Sequence, residues 1–211
     1  MDAISLFLLI VAGVTLRFLY KAQQKRGDRQ PDPPRIRPPT IEDLQPGGVL
    51  SLRGIGADLE DLDVTVTGRH SYSEEGFEWL ELEGETGDRK VWIGVERDDE
   101  LEVSITLRKV DLETLGLTPE RLEEFRRQRK GAFAFEGQTY RFDESGRATF
   151  FRDGNRLQGE PFEYWDFVCA KDDSAISIES WKPGGAPECH VSQTLKPSQY
   201  TVYATRGDGN P

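Results

Sequence analysis

The sequence predicts a mainly β protein: internally duplicated antiparallel β units forming a barrel-like or sandwich domain, one short helix between the halves, and an N-terminal transmembrane helix. Three observations predict it. Apolar and polar residues alternate over most of residues 48–204, three short segments recur later in the chain, and residues 3–20 form an apolar run broken only by Arg17.

The chain opens MDAISLFLLIVAGVTLRFLYKAQQKR. As a helix, Ala3 to Tyr20 spans roughly 27 Å, close to the ~30 Å hydrocarbon core of a bilayer. Only Asp2 precedes the run, whereas Lys21, Lys25, Arg26 and Arg29 follow it, so the basic n-region of a cleaved signal peptide is missing. The same asymmetry predicts an uncleaved single-pass anchor at residues 1–20, with the N-terminus outside and the remainder cytoplasmic. Residues 21–39 read as a basic, proline-rich linker. Five prolines between Pro31 and Pro39 favour an extended, semi-rigid spacer of roughly 28 Å.

A β domain is expected over residues 40–204. Its first unit, 48–110, holds five period-two runs: Val49 to Leu52, Val64 to Thr67, Trp79 to Leu82, Val91 to Val95 and Leu101 to Leu107, separated by Gly- and Asp-rich turns. A helix is expected at 118–130. Thr118 suits its N-cap and Pro119 its first position, Arg126 to Lys130 complement the negative end of the dipole, and Gly131 suits the C-cap. The second unit, 131–204, repeats the first. GVLSLRG at Gly48 returns as GAFAFEG at Gly131, 83 residues on. FEWLEL at Phe77 returns as FEYWDF at Phe162, 85 on, and WIGVE at Trp92 returns as AISIE at Ala175, again 83 on. Alternation assigns Leu80, Leu82, Ile93, Val95, Trp165, Phe167, Ile176 and Ile178 to the core. It assigns Glu81, Glu96, Asp166 and Glu179 to the outer face. Residues 205–211 read as a disordered tail.

Charge narrows the partners. The chain carries a net −11, and residues 1–39 hold seven Lys or Arg against three Asp or Glu, so residues 40–211 hold 20 against 35, a net −15. Such a domain repels nucleic-acid phosphates, so no nucleic-acid partner is expected. His70 and His190 are the only histidines and Cys169 and Cys189 the only cysteines. They form no zinc motif and no supported nucleophile, so neither metal, cofactor nor catalytic residue is assigned. Both cysteines read as free thiols. Cys189 and His190 are adjacent in a strand and point to opposite faces. The candidate binding residues are Trp92, Glu96 and Glu179: an outward indole that anchors a partner, and two carboxylates at matched positions of the two units.

The segments IEDLQPGGVLSLRG, YSEEGFEWLELE, DRKVWIGVE, EGQTYRFDESGRATF, EYWDFVCAKDDSAISIESW and KPSQYTVY resemble the DUF4178 family of bacterial domains of unknown function, over about Thr40 to Tyr203. The resemblance implies a small β-rich domain of membrane-associated bacterial proteins, placed here at the inner membrane. It brings no functional residue with it. The expectation is therefore a membrane-tethered, non-catalytic binding or scaffold module for a protein partner, in envelope or stress physiology. The alternatives are a barrel that binds a small cationic or apolar ligand, and an enzyme using the Glu96 and Glu179 pair.

Overall fold

The computed structural model describes residues 38–87, 89–182 and 184–206. The expected span at residues 3–20, the linker up to residue 37 and the tail from residue 207 lie outside them.

Among the described residues there are eleven strands and one α-helix. The first meander is β1 (Val49–Ile55), β2 (Glu60–Glu74), β3 (Phe77–Thr86), β4 (Arg89–Arg97) and β5 (Leu101–Val110). The helix α1 (Pro119–Gln128) follows. The second meander is β6 (Ala132–Phe135), β7 (Gln138–Phe151), β8 (Gly159–Cys169), β9 (Ser174–Ser180) and β10 (Glu188–Thr194), and β11 (Tyr200–Ala204) ends the fold. Every pairing is antiparallel.

The strand order is β11-β1-β2-β3-β4-β5-β10-β9-β8-β7-β6, with an additional β2–β7 pairing. The two five-strand meanders thus run in mirror order, and the recurring segments fall on β1 and β6, β3 and β8, β4 and β9. The long strands make closure possible by dividing one edge. The first part of β2 pairs with β1 and its last part with β7, through Ser71, Tyr72 and Ser73. β7 likewise pairs first with β6 and then with β2. Eight strands, β2 to β5 and β7 to β10, therefore form a hydrogen-bonded ring, which removes the open edges of two separate sheets. β11 pairs back onto β1 of the first meander. Glu75-Gly76 and Glu136-Gly137 make the two-residue turns into β3 and β7 with positive φ at both positions, 47° and 95° in the first, 49° and 77° in the second. This is the backbone that matches strand twist in a tight hairpin.

Alternation then divides the side chains. Leu82, Ile93 and Val95 join Leu50, Leu52, Val64 and Ile105 in one apolar cluster, closed by Ile41, Leu44 and Leu195. Trp165, Phe167, Ile176 and Ile178 join a second cluster, covered by Leu122 and Phe125 of α1. The eight positions expected to face a core divide between these clusters, with Leu80 packed at the margin of the first.

α1 starts as its sequence dictates. The Thr118 side chain accepts the Arg121 N–H at 3.3 Å, and Pro119 occupies the first turn. At the other end Arg129 rather than Gly131 takes the left-handed cap, with φ 51°. Gly131 instead gives room to Phe125, whose ring would lie 2.2 Å from a Cβ there. Within the basic run, the Arg126 guanidinium lies 4.1 Å from the centre of the Trp165 ring and bonds Glu163 at 3.1 Å.

Candidate functional site

The sequence assigned Glu81, Glu96, Asp166 and Glu179 to an outer, solvated face, and the structure corrects this. Closing β2 onto β7 turns the polar face of both meanders into the ring, so these four carboxylates line an internal hollow. Glu96 alone of the four is exposed; the other three are half-buried.

Two adjoining hollows fill the ring. The first has a volume of about 500 Å³. The second encloses about 470 Å³ and takes at least one lining residue from each of the eight ring strands. They share Tyr72, Glu81, Gly94, Ser177 and Glu179, which therefore mark the waist between them. Register explains the set: Glu81 pairs with Gly94 across β3 and β4, and Asp166 with Ser177 across β8 and β9.

Carboxylates dominate the first hollow. The first meander contributes Glu74, Glu75, Glu81, Glu96 and Asp98, the second Glu144, Asp166 and Glu179, and no lysine, arginine or histidine lines it. Burial, which penalises the charged form, is the largest influence on the deep ones. It pushes Glu81 up to about 7 against the opposing bond from Tyr72. It pushes Asp166 up to about 7 against a bond from Ser177, with Glu144, Asp143 and Glu96 adding repulsion. It pushes Glu179 up to about 8, helped by Glu81, Asp166 and Glu188 and opposed by a bond from Trp181. Burial and neighbouring acids also raise Glu96 and Glu144.

Aromatic rings supply most of the remaining wall. Tyr72 stacks on Trp79 at 5.2 Å and 5° and meets the edge of Phe162 at 5.7 Å. Phe162 in turn stacks on Trp181 at 4.6 Å. The Tyr164 hydroxyl donates to Glu74, which also accepts the Arg147 backbone N–H at 3.2 Å.

The second hollow is mixed in charge, with Lys109, Arg152 and His190 beside Glu160 and Glu188. Lys109 bonds Glu188 at 2.6 Å. Burial and Lys109 push His190 down to about 4, which leaves a neutral ring. Cys189 turns to the opposite face, buried in the second apolar cluster, where burial and Asp111 push its thiol up to about 12. Cys189 and Cys169 are both free.

His70 stands apart from the hollows. It is 3% exposed, and its Nδ1 accepts the Asp153 backbone N–H at 3.0 Å. The ring proton then sits on Nε2, 3.6 Å from Glu83. This histidine pins the turn after β7 to β2.

Of the sequence-predicted residues, Glu96 lines the first hollow, Trp92 the second and Glu179 both. Trp92 is half-buried inside the ring rather than outward. Sequence reasoning missed Tyr72, Glu81 and Asp166 as site residues. A signal existed, since the strand face carrying the matched Glu81 and Asp166 also carries Trp79 and Tyr164, and solvated faces seldom carry large rings. Among the described residues no three His, Cys, Asp or Glu converge closely enough to hold one metal ion.

Comparison with known proteins locates the chain. The family described as Domain of unknown function (DUF4178) matches residues 55–197. An uncharacterized protein of Mycobacterium bovis is 29% identical over 167 residues, 76% of this chain and 71% of its own length. Uncharacterized proteins from two strains of Mycobacterium tuberculosis match to the same extent. No solved structure matches.

Proposed function

We propose, from the premise that the chain belongs to the family described as Domain of unknown function (DUF4178), that it binds a small organic cation inside its strand ring. One observation carries the reading: eight carboxylates and no basic side chain line a hollow of about 500 Å³ whose remaining wall is mostly aromatic rings. Carboxylates attract positive charge, ring faces add cation–π attraction, and the volume suits a small molecule. The carboxylates are spread around the hollow rather than convergent, which favours an alkylammonium over a compact metal ion.

This reading takes precedence over a protein-partner scaffold because the acidic face lines the inside of the strand ring rather than its outer surface. Trp92, Glu96 and Glu179 keep a binding role, now toward a ligand. The membrane tether at residues 3–20, with the β domain cytoplasmic at a bacterial inner membrane, rests on the N-terminal sequence and belongs to the same proposal. Resistance of the intact chain to alkaline extraction from membranes tests it, and release into the soluble fraction counts against it.

The binding reading is tested by titrating the full chain, in a nonionic detergent, with butylammonium chloride while following indole fluorescence. A saturable change is expected, since Trp79 lines the first hollow and Trp92 and Trp181 the second. An equal response to sodium chloride at the same ionic strength removes the reading.

A further inference from the structure

The acidic hollow gathers eight carboxyl groups with no basic side chain among them. Glu81 reaches it from β3, Asp166 from β8 and Glu179 from β9, so the ring brings together acids far apart in sequence. Facing them are Tyr72 and Glu74 from β2, Glu96 from β4, Glu144 from β7 and Tyr164 from β8, with Glu75 and Asp98 in the flanking turns. The phenols supply hydrogen bonds and no positive charge.

Counter-charge from the second hollow is small. Beyond the waist stand Lys109 of β5, Glu188 and His190 of β10, Glu160 of β8 and Arg152 after β7. Lys109 is bonded to Glu188, and Arg152 lies over the Phe150 ring at 5.6 Å. Lys109 does act on Glu81, but as the smallest of the influences on that group.

Like charges in one poorly solvated space cannot all persist without a cation, so some of the groups take up protons instead. We infer that a cation entering this hollow displaces protons held on Glu81, Asp166 and Glu179, so that binding is an exchange of cation for proton. The inference rests on the binding reading above. In the exchange a carboxylic O–H bond breaks, its proton leaves to solvent, and the carboxylate formed pairs with the ammonium. Net charge in the hollow changes little. The positions of the three groups, at about 7, 7 and 8, place the exchange near neutrality.

The experiment uses the full chain in a nonionic detergent and titrates choline and butylammonium by calorimetry, in buffers of unlike ionisation heat. Choline has no titratable proton in this range, so every proton it releases comes from the protein. Release of about one proton per cation near pH 7 is expected, with the dissociation constant falling by up to about tenfold per pH unit between about pH 6 and 8. Binding with no buffer-dependent heat and an unchanged constant across that range overturns the exchange and leaves the binding reading standing. Carboxyl-carbon NMR of the free protein gives a second measurement. Midpoints near neutrality are expected for three glutamate or aspartate signals, and all signals titrating in the ordinary carboxylate range overturn the exchange. Failure of both cations to bind at any pH overturns the binding reading itself and the exchange with it.

Discussion

The Tyr72 hydroxyl donates to Oε1 of Glu81 at 3.2 Å, joining a residue of the ring-closing seam to a carboxyl group at the waist. Tyr72 pairs with Phe150 across that seam and stacks on Trp79 beside it. Closure of the ring and composition of the site are therefore one construction. The strand pair that removes the sheet edges also turns the acids inward.

Tyr72→Phe removes that bond and keeps the ring. Glu81 then loses the larger of the two influences that hold its carboxyl down, the smaller being Lys109, so it moves further up. A loss of about 0.5–1.5 kcal/mol is expected, because a half-buried acceptor is left without its donor. Urea unfolding measures it, and an unchanged midpoint would show that the bond contributes nothing.

Stability of the free protein should fall as pH rises through neutrality. The raised positions of Glu81, Asp166 and Glu179 mean that the folded state binds more protons than the unfolded one between the ordinary carboxylate range and about 8, so stability is lost as pH climbs through that window. His190 acts oppositely, but only below its ordinary 6.5, because its folded position is about 4. Between about pH 6.5 and 8.5 the carboxyl groups therefore decide the sign. Tm should decline across that range, and Glu179→Gln should flatten the decline and raise Tm at its upper end. A flat or rising wild-type profile contradicts this.

Phe167 is fully buried and meets Phe125 at 5.3 Å and Phe133 at 5.0 Å. Phe167→Ala empties the space under α1 and should cost about 3–5 kcal/mol, lowering Tm by roughly 10 °C. Differential scanning calorimetry reads the shift. A loss below about 1 kcal/mol would mean that the second cluster is not packed around this ring.

Gly84 leaves no room for a side chain. A Cβ there would lie 2.4 Å from Cγ1 of Val64, with the Thr65 carbonyl and Val91 also within contact. Gly84→Ala should cost about 1–3 kcal/mol by overpacking the first cluster, whereas Gly87→Ala, with nothing within 4 Å of its Cβ, should act only through its φ of 59°. Chemical denaturation of the two variants compares them, and a smaller loss for Gly84→Ala than for Gly87→Ala would count against the packing described.

Much of the fold was legible because it is local. The period-two runs became strands, Thr118-Pro119 began the helix, and the recurring segments fell on corresponding strands of the two meanders. The site was legible only in part, because alternation gives the face of a strand and not what covers it. Leu82 and Glu81 were rightly placed on opposite faces, yet the face opposite the apolar core was read as solvent. The pairing of Tyr72 with Phe150, 78 residues apart, encloses that face. No short sequence window carries such a contact. Trp92, read as an outward anchor, and Glu96, read as an outer-face carboxylate, line the hollows for the same reason.

The most direct test of the account compares choline with its uncharged carbon isostere, on the full chain and on a Glu81→Gln, Glu179→Gln double variant, by calorimetry near pH 8 with folding verified by circular dichroism. The account predicts that choline binds the wild-type chain, that the isostere binds at least about tenfold more weakly, a difference of about 1.4 kcal/mol, and that the folded double variant loses the discrimination. Equal binding of choline and the isostere, or a double variant that discriminates as the wild type does, would contradict it.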